Sequence, residues 1–346
     1  MLFIRKLLNV LYVTSPDSHL ARDGENVVVL AGEETKGRFP IHNLEGIVHF
    51  GYTGATPGLM ALCAERNVGL SFCTETGRFL ARVTGPVHGN VLLRRKQYRI
   101  ADMEQPCVEL ARAMVVGKIF NSRTVLQRAM RDYSDRMIGS AIPAAVARLA
   151  GIVKEAANAS ALSILRGMEG EAAKVYFEVV DHLILDQKDH FCMKARSRRP
   201  PQDRFNALLS FVYMLLVNEC SSALETVGLD PAVGFLHRDR PGRASLALDI
   251  MEELRPYLAD RLALSLVNRK QVTADGFVIR ESGAVYMDDA TRKTVLQAWQ
   301  NRKRETITHP YLNEKVPVGL LPYAQALLLA RRIRGDIDGY PPFVFR

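Results

Sequence analysis

The chain has 346 residues, 48% hydrophobic and 24% charged, which suffices for two domains with an ample core and excludes a disordered or fibrous protein. Its formal charge is +9, and residues 1–93 balance eight basic against eight acidic side chains, so the rear carries the whole excess. A neutral front and a basic rear point to a polyanion met by the rear. The five cysteines have no CxxC and no paired spacing, which argues against a disulfide framework and for free thiols in a reducing compartment. The apolar start MLFIRKLLNVLYV lacks a small-residue cleavage site, and no uninterrupted apolar run reaches a membrane span. The expectation is a soluble, cytoplasmic protein with no membrane partner.

In chain order, residues 1–85 read as short strands with turn punctuation. LLNVLYV, ENVVVLAG, GRFPIHN, EGIVHFG, VGLSFC and GRFLARVTG are rich in β-branched and aromatic residues, and TPGLMALCAER reads as one short helix. This portion has no cluster of ionisable groups, so a scaffold or dimerisation role suits it. Its sheet must cover its apolar face by folding on itself or by pairing with another subunit.

The texture turns helical after residues 85–90. Arg94, Arg95, Lys96 and Arg99 open the region, and Arg112, Lys118, Arg123, Arg128 and Arg131 recur along the next helix, a pattern that on its own reads as a solvated face. The spacing then predicts a helix over 161–185 with an apolar stripe of Leu162, Leu165, Ala172, Ala173, Tyr176, Val180 and Leu183. Glu169 projects into the middle of that stripe, whereas Glu171 points to solvent. A core-facing carboxylate is costly unless it is paired, protonated or on a metal. Gly167 and Gly170 each weaken the helix by about 1 kcal/mol relative to alanine and suggest close approach of another backbone or a ligand. The alternative for Glu169 is a buried ion pair with Arg166 or a more distant arginine.

KDHFCMKARSRRPPQDR, residues 188–204, is a basic loop containing Lys194, Arg196, Arg198, Arg199 and Arg204. A long apolar helix follows, then a turn at GLDP, His237 in a basic Gly/Pro loop, and a second helix. At 100° per residue, Ala247, Ile250, Met251 and Leu254 form one stripe of that helix, with Asp249, Glu252 and Glu253 opposite. DGFVIRESGAVYM reads as a hairpin turning at ESG, TVLQAWQNRKRETITHP and then a closing helix, PYAQALLLARRIRGD, follow, and DGYPPFVFR is a tail without a legible role.

Carboxylates with one imidazole make an oxygen-dominated site suited to Mg²⁺ or Mn²⁺ rather than zinc. With water as nucleophile such a site cleaves a phosphodiester; with a DNA 3′-hydroxyl it transfers a strand. His237 acting as a base without metal is the weaker alternative.

RGMEGEAAKVYF, NECSSALETVGLDPAVGFLH and ASLALDIMEELRP, in this order, resemble the three signatures of the CRISPR adaptation integrase, the CRISPR-associated endonuclease that inserts new spacers; the chain is similar to the type I-C members. The likeness spans nearly the whole chain. It implies an α+β fold, an N-terminal β-sandwich domain over 1–93 followed by a larger, mostly α-helical catalytic and DNA-binding domain over 94–346. It implies that Glu169, His237 and Glu252 are metal ligands, with Asp249 lining the site. Many members carry Asp where this chain has Glu252, which leaves the inner-sphere choice between Asp249 and Glu252 open. It further implies joining of a prespacer to a repeat by 3′-hydroxyl transesterification, a homodimer, and a small ferredoxin-like CRISPR-associated partner. The DNA substrates would be double-stranded and branched, and binding would be chiefly through phosphates. Candidate contacts are Arg94–Arg99, Lys194–Arg204, Arg238–Arg243 and Arg302–Arg304, with Arg196, Arg198, Arg199, Arg238, Arg240 and Arg243 nearest the ligands. The competing readings are a structure-specific nuclease acting on branched DNA in repair and a non-catalytic DNA-binding scaffold.

Overall fold

The computed structural model describes residues 9–345 apart from 16, 76, 86–89 and 138. The first residues of the LLNVLYV run lie outside the described residues. The chain divides into two units: residues 1–89 with 287–305, and residues 90–286 with 306–346.

In the first unit, β1 (Val10–Val13), β2 (Ser18–Asp23), β3 (Asn26–Ala31), β4 (Glu34–Pro40), β5 (Gly46–Phe50), α1 (Pro57–Glu65), β6 (Gly69–Cys73) and β7 (Phe79–Val83) follow one another. One sheet has the order β1-β5-β6-β7, its first three strands parallel and β7 antiparallel; the other is the antiparallel meander β2-β3-β4. Strand β2, SHLARD, is too polar to stand out in the sequence. Alternation aims Leu20, Val27 and Val29 from one sheet and Val13, Ile47 and Leu70 from the other into a single core. α1 seals that core with Leu59, Leu62 and Cys63. It starts where Thr56 Oγ1 accepts from the Leu59 amide at 3.3 Å and Pro57 presets the first turn.

The second unit is helical: α2 (Val91–Ala101), α3 (Glu104–Asp132), α4 (Ser134–Met137), α5 (Ile142–Ala157), α6 (Leu162–Val179), α7 (Arg204–Val227), α8 (Ser245–Arg255) and α9 (Arg261–Asn268), then the hairpin β8 (Phe277–Ile279) and β9 (Val285–Met287). Gly283, at φ 77°, closes that hairpin within the ESG turn. Helix α10 (Asp289–Arg304), which the sequence groups with the helical rear, packs within the strand-rich unit, where its Arg292 lies over the Phe50 ring. β10 (Thr306–Thr308), β11 (Lys315–Pro317) and α11 (Leu321–Arg334) complete the second unit. Strands followed by helices give the expected α+β class.

Helix α3 is the axis of the second unit. It packs against α5, α6 and α8, and Val108, Ala111, Met114, Val115, Ile119 and Leu126 are buried along it. Its recurring charges are therefore not one solvated face: Lys118 is buried, and Arg112 bonds the Ala159 carbonyl. Helix α7 is long and apolar enough, by length and composition, to cross a bilayer, but most of it is buried in the fold, as in a core helix. Asp203 caps it by accepting from the Asn206 amide at 2.7 Å, and Gly228 ends it at φ 85°, a conformation glycine adopts without strain.

The tail left unread in the sequence is a buried strap. Asn121 on α3 donates to the Phe343 carbonyl at 2.7 Å and accepts from the Phe345 amide at 3.1 Å. Glu253 on α8 accepts from the Phe343 amide at 2.9 Å and from the Tyr340 hydroxyl. Burial pushes the Glu253 carboxyl up to about 8 despite these donors.

Candidate active site

Three segments of the second unit bring the site together. Helix α6 supplies Glu169, the loop between α7 and α8 supplies His237, and α8 supplies Asp249 and Glu252. The acids of α8 do not form a solvated face: Asp249, Glu252 and Glu253 are all buried. Buried carboxylates persist only with partners, and each of the three has a different set.

Asp249 is saturated with donors. Its Oδ2 accepts from the Phe235 amide at 2.6 Å and the Leu236 amide at 2.9 Å, and Oδ1 accepts from the His237 amide at 3.0 Å. The fourth donor is Nδ1 of His237, 2.6 Å from Oδ1. A proton on Nδ1 leaves Nε2 with its lone pair, and Nε2 lies 3.8 Å from Oε1 of Glu252. The loop wraps this carboxylate so closely because residue 234 is glycine: a Cβ there would lie 2.8 Å from Asp249 Oδ2 and 2.9 Å from Ser245.

The loop is fixed at its base as well. Buried Gln97 accepts from the Asp230 amide at 2.9 Å and donates to the carbonyls of Asp230 and Val233 at 2.8 and 2.9 Å. Pro231 contributes its carbonyl to the uncapped start of α8, accepting from the Leu246 amide at 2.9 Å. Gln97 was hidden in the sequence inside the basic run LLRRKQYRI. Gly234 had a visible signal, since it falls between the GLDP turn and His237.

Glu252 sits between cations. Arg255 Nη1 lies 2.8 Å from Oε1 and Lys118 Nζ lies 2.7 Å from Oε2. Burial favours the neutral carboxyl, yet Arg255, then Lys118 and His237, hold Glu252 well below the usual carboxylate range. Arg255 is itself seated over the Tyr213 ring at 5.0 Å, and the Tyr213 hydroxyl donates to buried Asp260 at 2.6 Å.

Lys118 also contacts Oε1 of Glu169. The partner of Glu169 is thus a lysine on α3 and not the arginine considered from the sequence; Arg166 instead donates Nε to the Leu236 carbonyl at 2.7 Å. Among the described residues no three His, Cys, Asp or Glu side chains are gathered tightly enough to hold an ion as they stand, and the Lys118 ammonium lies between Glu169 and Glu252. Gly167 and Gly170 have no close neighbour in the chain: a Cβ on either would meet open space, so the close approach expected of them is not made by this chain's own backbone.

Glu169 and His237 face a cavity of about 380 Å³, whose other lining residues are Arg166, Leu236, Arg238, Arg240 and Arg243. Burial and the neighbouring Arg240 depress the Arg243 guanidinium, a sign of crowded positive charge. Of the other candidate contacts, Arg198 and Arg199 are exposed. Arg196 departs from expectation, because its guanidinium bonds Asn206 at 2.6 Å and Ser210 at 3.2 Å and lies over Tyr213 at 5.3 Å. It anchors the loop ahead of α7.

Fold and site together define an α+β protein that presents a carboxylate–imidazole pair to an arginine-lined cavity, an arrangement suited to a phosphate-bearing substrate. The family model described as CRISPR associated protein Cas1 matches residues 11–301. The chain therefore belongs to the Cas1 family of CRISPR-associated proteins. It is 52% identical over 343 residues to a CRISPR-associated endonuclease Cas1 of Chlorobaculum tepidum, covering 99% of this chain and 100% of that one. It is 50% identical over 347 residues to one of Rhodospirillum rubrum, with the same coverage. Among solved structures, a CAS1 protein from Thermotoga maritima superimposes with a TM-score of 0.81 at 24% identity, covering 94% of this chain and 97% of that one. A casposase bound to integration product superimposes with a TM-score of 0.82 at 20% identity, covering 98% and 94%. These two likenesses are of fold.

Proposed function

We propose that this chain is a metal-dependent DNA endonuclease and integrase that inserts prespacer DNA into a CRISPR array. Its relatives in Chlorobaculum and Rhodospirillum carry the name endonuclease, and the casposase that shares its fold is bound to integration product. The observation that carries the reading is the aim of His237. Asp249 spends both oxygens on four donors, so it orients the imidazole, and Nε2 faces Glu252 beside the arginine-lined cavity.

The donor set fits a hard divalent cation. Two carboxylates and one imidazole nitrogen would suit Mg²⁺ or Mn²⁺, and Nε2 of His237 and Oε1 of Glu252 already lie 3.8 Å apart. Glu169, His237 and Glu252 would hold the ion, and Asp249 would stay behind His237. When bound, the ion activates an oxygen nucleophile and offsets charge on the reacting phosphate.

The remaining work falls to the protein's own side chains. Arg166, Arg238, Arg240 and Arg243 bind phosphate oxygens and orient the strand at the cavity. Arg166, one turn before Glu169 on α6, is held at the cavity by its Nε bond to the Leu236 carbonyl. With a DNA 3′-hydroxyl as nucleophile the outcome is strand transfer; with water it is hydrolysis, as in a repair nuclease acting on branched DNA. Prespacer and repeat DNA are the proposed substrates, and a homodimer with a small ferredoxin-like CRISPR-associated protein is the proposed assembly. A complex of Cas6-RT-Cas1 with Cas2, whose chain shares this fold with a TM-score of 0.80 at 22% identity, is consistent with such a partner; this chain spans 36% of it.

The test is a joining assay on a supercoiled repeat-bearing plasmid with a DNA end carrying either a 3′-hydroxyl or a 3′-deoxy terminus. Joined product from the first alone supports integration. Cut branches without joined ends would favour the repair nuclease, and joining and cutting that both survive Glu169→Ala would leave a binding scaffold.

A further inference from the structure

Lys118 rises from the middle of α3 with a side chain only 8% exposed, and it reaches the two carboxylates assigned to the ion. Its ammonium contacts Oε1 of Glu169 and lies 2.7 Å from Oε2 of Glu252. Arg255 holds the other oxygen of Glu252 at 2.8 Å. Two carboxylates are thus balanced by two fixed cations within the protein alone. Without Lys118, no cation would stand between Glu169 and the buried Glu252, and Arg255 would hold only the other oxygen of Glu252, so the two carboxylates would repel.

A divalent ion taking these same oxygens meets an ammonium already seated among them. We propose that Lys118 is a built-in counter-ion. It holds Glu169 and Glu252 in place before an ion binds, and it weakens the affinity for that ion by competing for both carboxylates. Lys118 is in this account a positioning residue, acting through Glu169 and Glu252, and the account rests on the assignment of those two as ligands.

The opposite expectation is equally concrete. A lysine that merely fills space on a buried helix would lower stability when replaced, and would leave the ion's affinity unchanged or reduced, because the ligands would be less well held. The two readings therefore differ in the sign of one measured number.

The experiment is Mn²⁺ titration by calorimetry at pH 8 on the full chain and on Lys118→Met, Lys118→Gln and Lys118→Arg, with melting curves in EDTA and in Mn²⁺. Lys118→Met and Lys118→Gln should melt lower in EDTA, bind Mn²⁺ at least tenfold more tightly, and gain more in melting temperature from Mn²⁺ than the parent does. Lys118→Arg, which keeps the charge, should return all three readings toward the parent. Should Lys118→Met fail to fold, Lys118→Gln, which keeps a polar end, carries the comparison. Parental or weaker Mn²⁺ binding in both neutral variants overturns the proposal while the ligand assignment stands. No Mn²⁺ binding by the parent, or binding that Glu169→Gln leaves unchanged, overturns the ligand assignment and this proposal with it.

Discussion

Nδ1 of His237 lies 2.6 Å from Oδ1 of Asp249, and three consecutive backbone amides complete the donor shell of that carboxylate. An acid so occupied has little left for an ion, and the proposed reading therefore divides the work of α8: Asp249 would aim the imidazole, and Glu252, one turn on, would be left for the ion.

Asp249→Asn puts an NH₂ group where only acceptors fit. Either the amide opposes the Phe235 and Leu236 amides or it opposes Nδ1–H of His237. If His237 holds the proposed ion, metal affinity is expected to fall by about 10–100-fold, the usual cost of losing the partner behind a ligating histidine. Mn²⁺ titration of the variant beside Glu252→Gln checks this, and parental affinity in Asp249→Asn would contradict the division of roles.

Gly234→Ala should be nearly as damaging although it touches no ligand directly. Its Cβ would lie 2.8 Å from Asp249 Oδ2 and 2.9 Å from Ser245, neither of which is the free end of a flexible chain. The loop must move, carrying His237 off its mark. Joining activity should drop by two orders of magnitude or about that, and a crystal structure should show the Asp249–His237 contact broken.

The arginines divide into two kinds. Replacing Arg238, Arg240 and Arg243 together by glutamine should flatten the salt dependence of DNA binding by up to about three units of slope, since about 0.9 unit accompanies each phosphate contact. Arg196→Gln should instead lower the melting temperature and leave the slope alone, because Asn206, Ser210 and Tyr213 already occupy that guanidinium. Binding isotherms at several salt concentrations separate the two.

Glu253 predicts a pH dependence of stability. Its folded carboxyl titrates at about 8, above the ordinary 4.5, so the folded state keeps a proton that the unfolded chain has lost. Stability from this group is full below about pH 4.5 and falls as pH rises toward 8. Glu253→Gln, which removes the titrating proton but keeps an acceptor for only one of the Tyr340 hydroxyl and the Phe343 amide, should melt lower at pH 5 and yet flatten the fall in melting temperature between pH 5 and 8. An unchanged slope would place the titrating group elsewhere.

Several residues of the candidate site stand out in the sequence. Glu169 breaks an apolar stripe, and Asp249 and Glu252 stand one turn apart on one short helix, whereas Glu253 beside them serves the C-terminal strap. The rest was hidden for physical reasons. Lys118 looked like one more charge along a solvated face because periodicity cannot show that α3 is enclosed by α5, α6 and α8. Arg196 looked free because stacking over Tyr213 leaves no trace in composition. The strap formed by Tyr340–Phe345 was unreadable because its partners, Asn121 and Glu253, are far away in the chain. Helix α10 could not be assigned to the strand-rich unit for the same reason: the contact that places it there, Arg292 over Phe50, joins residues far apart in sequence.

The most direct test is anomalous diffraction from crystals soaked in Mn²⁺. One peak bonded to the Glu169 carboxylate, Nε2 of His237 and the Glu252 carboxylate, with Asp249 still on Nδ1, is the predicted result. A peak on Asp249, or an ion bound away from these three while Lys118 keeps both carboxylates, would contradict the account.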